Sequence, residues 1–201
     1  KNVLLKNIQV NLFGIELQVE ALPFQEQDRV VSACATSSLW TYLNAPIFNI
    51  KDIPSPSAIS KIAYSLPEAF KLDFHTSGLD PYSMSSIFRN LGLSPIEIGK
   101  DVMSFDEADN DNSLTNRRNF IRHLKEIVYS YNSFNLPIIM GLEVYEREKG
   151  EEAFSYKGSH AVTIVVYSMN RGTFIKLESE IDDIDLKADD INYFYIHDDQ
   201  L

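Results

Sequence analysis

The sequence contains a single cysteine, Cys34, which lies in a run of small residues that leads into a helical pattern. Apolar residues recur at helical spacing from there on, at Ala35, Leu39, Tyr42 and Leu43, and this predicts a helix whose first turn carries the cysteine. The unpaired backbone N–H groups of a helix N-terminus favour negative charge, so they stabilise a thiolate, the nucleophilic form of cysteine. Cys34 is therefore a candidate nucleophile. The alternative is a small buried hydrophobic residue, the usual role of a lone cysteine.

The candidate general base is His160, one of four histidines in the chain. It precedes the run 161–167, whose β-branched residues predict a strand, so the imidazole is expected at the opening of that strand and at the end of a sheet. His123 falls within an amphipathic helical pattern, and His75 falls in a loop-like stretch. His75 has no recognisable partner in the sequence and His123 is expected at the surface or its boundary, whereas the strand can hold the His160 imidazole rigidly as the base that a thiol nucleophile needs.

A third group must orient the imidazole and stabilise its charged form. Asp198 is the first choice because it follows the strand-like run 192–197. Asp199 is the second, because a one-residue change of strand register exchanges the side chains that face the site. Glu178 and Glu180 are further alternatives.

A tetrahedral intermediate also needs donors for its oxyanion. The backbone N–H groups at the start of the predicted helix can supply one donor, and a side-chain amide placed opposite them can supply another. Gln27 and Gln25 precede Cys34 by a turn or two and are the candidates for that amide.

The elements expected around these residues change character along the chain. A hairpin turning at Phe13-Gly14 comes first, helices dominate the first two thirds, and short β-branched and aromatic runs dominate the last third. The predicted elements are a hairpin within 3–19, helices at 57–70, 81–91 and 115–131, and strands at 137–145, 160–169, 173–179 and 191–197. Helices followed by strands predict an α+β fold with a mostly antiparallel sheet. We expect one domain over 1–201, with a hairpin or extension at 1–22, a helical lobe at 23–132 and a sheet lobe at 133–201.

The order of the candidate residues resembles that of the papain-like cysteine peptidases. A glutamine, a cysteine that opens a helix, a later His-Ala-Val strand and a final strand ending in Asp follow one another in both, and the branch that processes the double-glycine leaders of bacteriocins is the most similar. The resemblance spans roughly 25–200 and is specific only around Cys34, His160 and Asp198. It implies a helical lobe packed on a sheet lobe, a Cys34–His160–Asp198 triad in the cleft, and Gln27 as the oxyanion glutamine.

Three features depart from that pattern. Ala35 follows the cysteine where the family commonly has glycine or tryptophan, Gln27 stands about one residue farther from Cys34, and the interval from His160 to Asp198 is long. The leading hypothesis is a cysteine hydrolase that cleaves a peptide or amide bond through a thioester. The departures favour an alternative, a non-catalytic papain-like binding or regulatory module.

Composition limits the partners. The formal net charge of −11 disfavours nucleic acid and anionic membranes, because phosphate binders need a basic surface. No apolar run reaches the roughly 18–20 residues that cross a bilayer, and the N-terminus lacks the regions of a signal peptide. One thiol and scattered histidines disfavour a metal site, so no cofactor is expected. We therefore expect a cytoplasmic protein with a peptide or protein substrate. The first residue is Lys1 rather than Met, which suggests a piece of a longer chain.

Overall fold

The computed structural model of the chain describes residues 4–25, 33–48, 50, 52–65, 79–99, 113–147, 153–170 and 187–199. In these residues the chain forms four α-helices and two antiparallel sheets, which confirms the α+β class. In chain order they are β1 (Lys6–Leu12), β2 (Ile15–Ala21), α1 (Cys34–Leu43), α2 (Pro56–Ser65), α3 (Pro81–Asn90), α4 (Ser113–Ser133), β3 (Ile138–Glu146), β4 (Ser155–Met169) and β5 (Ile191–His197). Single turns of 3-10 helix follow α1 at Pro46–Phe48 and precede β5 at Lys187–Asp190. The predicted strand at 173–179 lies outside the described residues.

The hairpin β1–β2 forms at the predicted turn. Phe13 and Gly14 both have positive φ, +50° and +87°, as a two-residue hairpin turn requires, and the Asn11 side chain accepts a hydrogen bond from the Gly14 N–H. The base of the hairpin is anchored to the body of the protein, because Leu4 and Leu22 pack against Val165 and Val166 of β4.

Helices α1, α2 and α3 share one apolar core. Its buried members come from α1, α2 and α3 at the helical spacing seen in the sequence: Leu39, Leu43, Ile59, Ala63, Ile87 and Phe88. Burying a side chain of this kind contributes about 1.5–3 kcal/mol. Helix α3 begins as the sequence predicts, with Asp80 as its N-cap and Pro81 at its first position, and Gly92 follows its end with φ of +80°.

Helix α4 packs on the sheet through β3 and β4, with Val128 fully buried. Ile121 belongs to the apolar stripe that the sequence of this helix predicts to face inward, but it is 43% exposed. Ile121 lies seven residues before Val128 and therefore on nearly the same face of the helix, but burial along this face increases toward the C-terminal half of α4, where Val128 lies.

The larger sheet has the order β3-β4-β5, and both pairs are antiparallel. The prediction that His160 opens its strand is wrong, because β4 begins five residues earlier and His160 is paired with Leu142. The reason is that β3 and β4 remain paired beyond the point where β5 ends. The last pair between β4 and β5 is Thr163 with His197, whereas the β3–β4 pairs continue past His160. The histidine therefore lies where β5 has ended, next to the residues that follow it.

A β-bulge interrupts the β3–β4 ladder two to three residues before His160. The pairs shift between Val144 and Tyr145, which makes Lys157 the extra residue, and Gly158 beside it has φ of +149°. Residues with side chains rarely adopt that conformation, and bulges of this kind redirect the side chains that follow them. The bulge thus helps to set the direction of the histidine side chain.

None of the described helices combines the length and the apolar character that crossing a bilayer requires.

Candidate active site

Cys34 is the first residue of α1, as the sequence predicts. The residue before it, Ala33, has a methyl side chain that cannot cap the helix, and the Ala33 carbonyl accepts the first intrahelical hydrogen bond, from Ser37. The N–H groups of the first turn have no intrahelical acceptor in any α-helix. They are therefore positioned to interact with an anion beside the cysteine.

The thiol lies at the margin of the interior. Cys34 is 9% exposed, whereas the next four residues of the helix are between 2% and 5% exposed. These four are small, namely Ala35, Thr36, Ser37 and Ser38. Small side chains allow the first turn of α1 to approach the sheet closely.

Two hydrogen bonds attach this turn to β4. The Ser38 hydroxyl donates to the Ala161 carbonyl at 2.9 Å, and the Thr163 hydroxyl donates to the Ser38 carbonyl at 3.2 Å. Ser38 is four residues after Cys34, so both lie on the same face of the helix. Because Ala161 directly follows His160, the helix that carries the cysteine contacts the strand that carries the candidate base.

Two further contacts involve the core around α1 and the residue Gln25 that precedes it in the chain. The core cluster that contains Leu39 and Leu43 also contacts Ile139, which pairs with Thr163 farther along β4. Gln25, which precedes α1, donates its backbone N–H to Asp199, just beyond the end of β5. The first contact places α1 against the β3–β4 ladder, and the second holds Gln25 beside the end of β5.

His160 and Asp198 form a hydrogen-bonded pair. Nε2 of the histidine is 3.0 Å from Oδ1 of the aspartate, and the side chains are 11% and 24% exposed. A carboxylate bonded at Nε2 holds the proton of a neutral imidazole on that nitrogen, so Nδ1 is left as the nitrogen that can accept a proton. This is the arrangement that a general base requires.

The second aspartate has a different partner. Oδ1 of Asp199 is 3.0 Å from Nε2 of His197 and accepts the Gln25 backbone N–H at 3.3 Å. Neighbouring side chains of an extended segment point to opposite sides, which separates Asp198 from Asp199. Sequence reasoning gave no role to His197, although a His-x-Asp spacing at a strand end was a signal that these two side chains lie on one side.

The remaining candidates are only partly accounted for. Gln27, Glu178 and Glu180 lie outside the described residues, and Gln25 is an exposed residue whose backbone is bound to Asp199. Among the described residues, no hydrogen bond joins the Cys34 thiol to His160. The structure therefore brings together the histidine and the aspartate, and brings the start of the cysteine helix to their strand.

Within the described part of the chain, no three histidine, cysteine, aspartate or glutamate side chains cluster in a way that could hold a metal ion. Comparison of the chain with models of protein families, with curated proteins and with solved structures gave no match. The resemblance to papain-like peptidases therefore stays an expectation from the order of residues in this sequence.

Proposed function

We propose that the chain is a cysteine hydrolase that cleaves a peptide or amide bond, with Cys34 as nucleophile, His160 as general base and Asp198 as the group that orients the base. The observation that carries this proposal is the 3.0 Å contact between His160 and Asp198. It is supported by the hydrogen bond from Ser38 to Ala161, because that bond attaches the cysteine helix to the strand that carries the histidine. The papain-like fold stays part of the proposal.

In the proposed reaction Nδ1 of His160 takes the thiol proton, and the Cys34 sulfur attacks the carbonyl carbon of the substrate. The oxyanion that forms is stabilised by N–H groups at the start of α1, with Gln27 as the proposed side-chain donor. The tetrahedral intermediate collapses to a thioester as His160 returns the proton to the departing amine. Water, deprotonated by the same imidazole, then attacks the thioester, and the acid is released with the free thiol restored.

One observation favours a second candidate, the non-catalytic binding or regulatory module. Only 9% of the surface of Cys34 is exposed to solvent, and such burial is typical of a structural cysteine. This candidate predicts an inert thiol whose replacement by alanine leaves the activity of the protein unchanged.

Alkylation by iodoacetamide separates the two candidates without knowledge of the substrate. A free thiol is only a few per cent thiolate at pH 7, so we expect His160→Ala to slow alkylation of Cys34 at that pH by roughly tenfold or more. The site of modification is read by mass spectrometry, with Cys34→Ala as the blank.

The matched control is His123→Ala. His123 lies on the exposed face of α4, where Nδ1 is 3.3 Å from a Glu126 carboxylate oxygen, and its removal should leave the alkylation rate unchanged. Equal rates in the wild type and in His160→Ala would reject the hydrolase and favour the binding module.

A further inference from the structure

Beyond its base pair Lys6–Ala21, the hairpin β1–β2 has one apolar face and one polar face. Paired residues of an antiparallel ladder share a face, and successive pairs alternate between the two faces. One face carries three apolar pairs, Ile8–Val19, Val10–Leu17 and Leu12–Ile15, and these six residues are called the apolar hairpin face below. The other face carries Asn7–Glu20, Gln9–Gln18 and Asn11–Glu16.

The rest of the chain leaves the apolar hairpin face about half uncovered. Five of its six residues are between 47% and 62% exposed, namely Val10, Leu12, Ile15, Leu17 and Val19. Phe13, at the tip of the hairpin, is 99% exposed. A two-stranded hairpin is marginally stable in water unless its apolar side packs on a further layer. The exposure of these residues shows that this layer is incomplete.

The exposed area is large enough for a specific interface. The face and the Phe13 ring present on the order of 500–700 Å² per chain, whereas stable interfaces bury roughly 600–1,000 Å² per partner. The largest apolar patch of an ordinary monomer is about 300–600 Å². Two such faces would together bury about 1,000–1,400 Å², which reaches the lower limit for a specific dimer.

The distribution of charge favours a second copy of the same chain as the partner. The chain has a formal net charge of −11, so two copies repel each other unless the surfaces that meet are uncharged. Glu16 and Glu20, the acidic residues of the hairpin, lie on its polar face and point away from such a contact. The three apolar pairs carry no charge with which to select a charged partner, but they complement a copy of themselves.

From the pattern, the area and the charge we infer that two copies of this chain associate as a symmetric dimer through the apolar hairpin face. A two-fold arrangement that covers the whole face brings the central pair Val10–Leu17 onto the same pair of the second copy. A dissociation constant on the order of micromolar is expected, because the contact is small and has no charged anchors. The dimer is independent of the chemistry proposed for Cys34.

Sedimentation equilibrium of the whole chain tests the dimer, with a reducing agent present to prevent disulfides through Cys34. The wild type should change from monomer to dimer between about 1 and 200 µM. Leu17→Lys places like charges at the centre of the contact and should weaken association about tenfold or more. Gln18→Lys is the matched control: it adds the same charge to the polar face and should associate at least as strongly as the wild type.

A charge exchange separates a lost contact from a damaged hairpin. Leu17→Lys and Leu17→Glu should each be monomeric alone and should associate when mixed, because residue 17 lies near the centre of the contact in both copies. If circular dichroism shows that these variants do not fold, Val10→Thr replaces them, since threonine keeps the β-branched shape and adds only a hydroxyl. It should weaken association about threefold or more, because that hydroxyl is buried without a partner in the dimer.

Three results would overturn the inference. The first is a wild type that stays monomeric up to about 200 µM, which would leave the face to a different partner. The second is undiminished association of Leu17→Lys, or of Val10→Thr in its place, and the third is a mixture of folded charge variants that stays monomeric. Raising NaCl from about 0.05 to 0.5 M should strengthen the dimer by screening the repulsion between two acidic chains, whereas weakening would indicate a contact between charged surfaces and reject the apolar hairpin face.

Discussion

His160 and Asp198 are 38 positions apart in the sequence, and their side chains meet at 3.0 Å where β5 ends beside β4. The long interval does not separate them, because β4 and β5 are antiparallel neighbours and the end of β5 lies near the part of β4 that carries His160. The long interval, which departs from the simplest papain-like pattern, is therefore compatible with a contact between His160 and Asp198.

Replacing Asp198 by alanine should slow alkylation of Cys34 at pH 7 roughly tenfold or more. A hydrogen bond to a charged group contributes about 1.5–3 kcal/mol, and here that stabilisation favours the imidazolium that forms when His160 takes the thiol proton. The rate is measured with iodoacetamide under pseudo-first-order conditions. Asp189→Ala, a surface change, serves as the control, and a wild-type rate in Asp198→Ala would remove Asp198 from the proposed site.

The choice between Asp198 and Asp199 shows how far the sequence could define the site. Composition and strand pattern were enough to place an aspartate beside the strand of His160, and helical spacing was enough to place Cys34 at a helix start. The register of β5 on β4 decides which aspartate meets which histidine, and it depends on a bulge at Val165 that no local pattern announces. The Gln25–Asp199 contact was equally unpredictable, because it joins two ends of the chain.

Ser38→Ala should lower the free energy of unfolding by about 1–3 kcal/mol. The change removes the donor to the Ala161 carbonyl and leaves that acceptor poorly satisfied at a part-buried position between α1 and β4. Urea titration followed by circular dichroism measures the loss. Ser130→Ala is the matched control: its hydroxyl bonds the Glu126 carbonyl on the exposed face of α4, and we expect a change below about 0.5 kcal/mol. Equal losses of stability in the two variants would mean that the Ser38 hydroxyl does not help to hold α1 against β4.

Ile59→Ala should destabilise the helical core by about 2–5 kcal/mol. Ile59 is fully buried in the cluster that joins α1, α2 and α3, and its truncation leaves a cavity in addition to the lost apolar burial. Thermal and urea unfolding provide the measurement. Ile96→Ala makes the same chemical change at a residue that is 71% exposed, so its cost should stay below about 0.5 kcal/mol. A small loss at Ile59 would show that the cluster does not hold the three helices together.

Asp80→Ala should cost about 1 kcal/mol by removing the N-cap of α3. The Asp80 carboxylate accepts from the Ser83 N–H and from the Ser83 hydroxyl, both at 2.9 Å, and alanine can replace neither bond. Asp80→Ser retains a capping oxygen and should recover most of the loss, whereas a general effect of removing negative charge would affect both variants equally.

Tyr42 makes the stability of the protein depend on pH in the alkaline range. Its ring packs against Phe48 and Phe88, and burial, followed by the repulsion from Tyr131, raises the pKa of its hydroxyl above the ordinary value of 10.0. The folded protein therefore keeps the phenol proton at a pH where the unfolded chain releases it. Unfolding releases a proton in that range, so the contribution of Tyr42 is fully present below about pH 10 and is lost as the pH rises through the raised value.

We expect the free energy of unfolding to fall more steeply above about pH 10 in the wild type than in Tyr42→Phe, which has no proton to lose. The comparison uses the slope of stability against pH from urea titrations, because the substitution also removes the hydroxyl and can shift stability at every pH. Tyr193→Phe is the control, since Tyr193 is 68% exposed and its loss should leave the wild-type slope in place. Parallel slopes for the wild type and Tyr42→Phe would mean that the Tyr42 phenol ionises as readily in the folded protein as in the unfolded chain. In that case the Tyr42 ring would be packed against Phe48 and Phe88 more loosely than the ring contacts indicate.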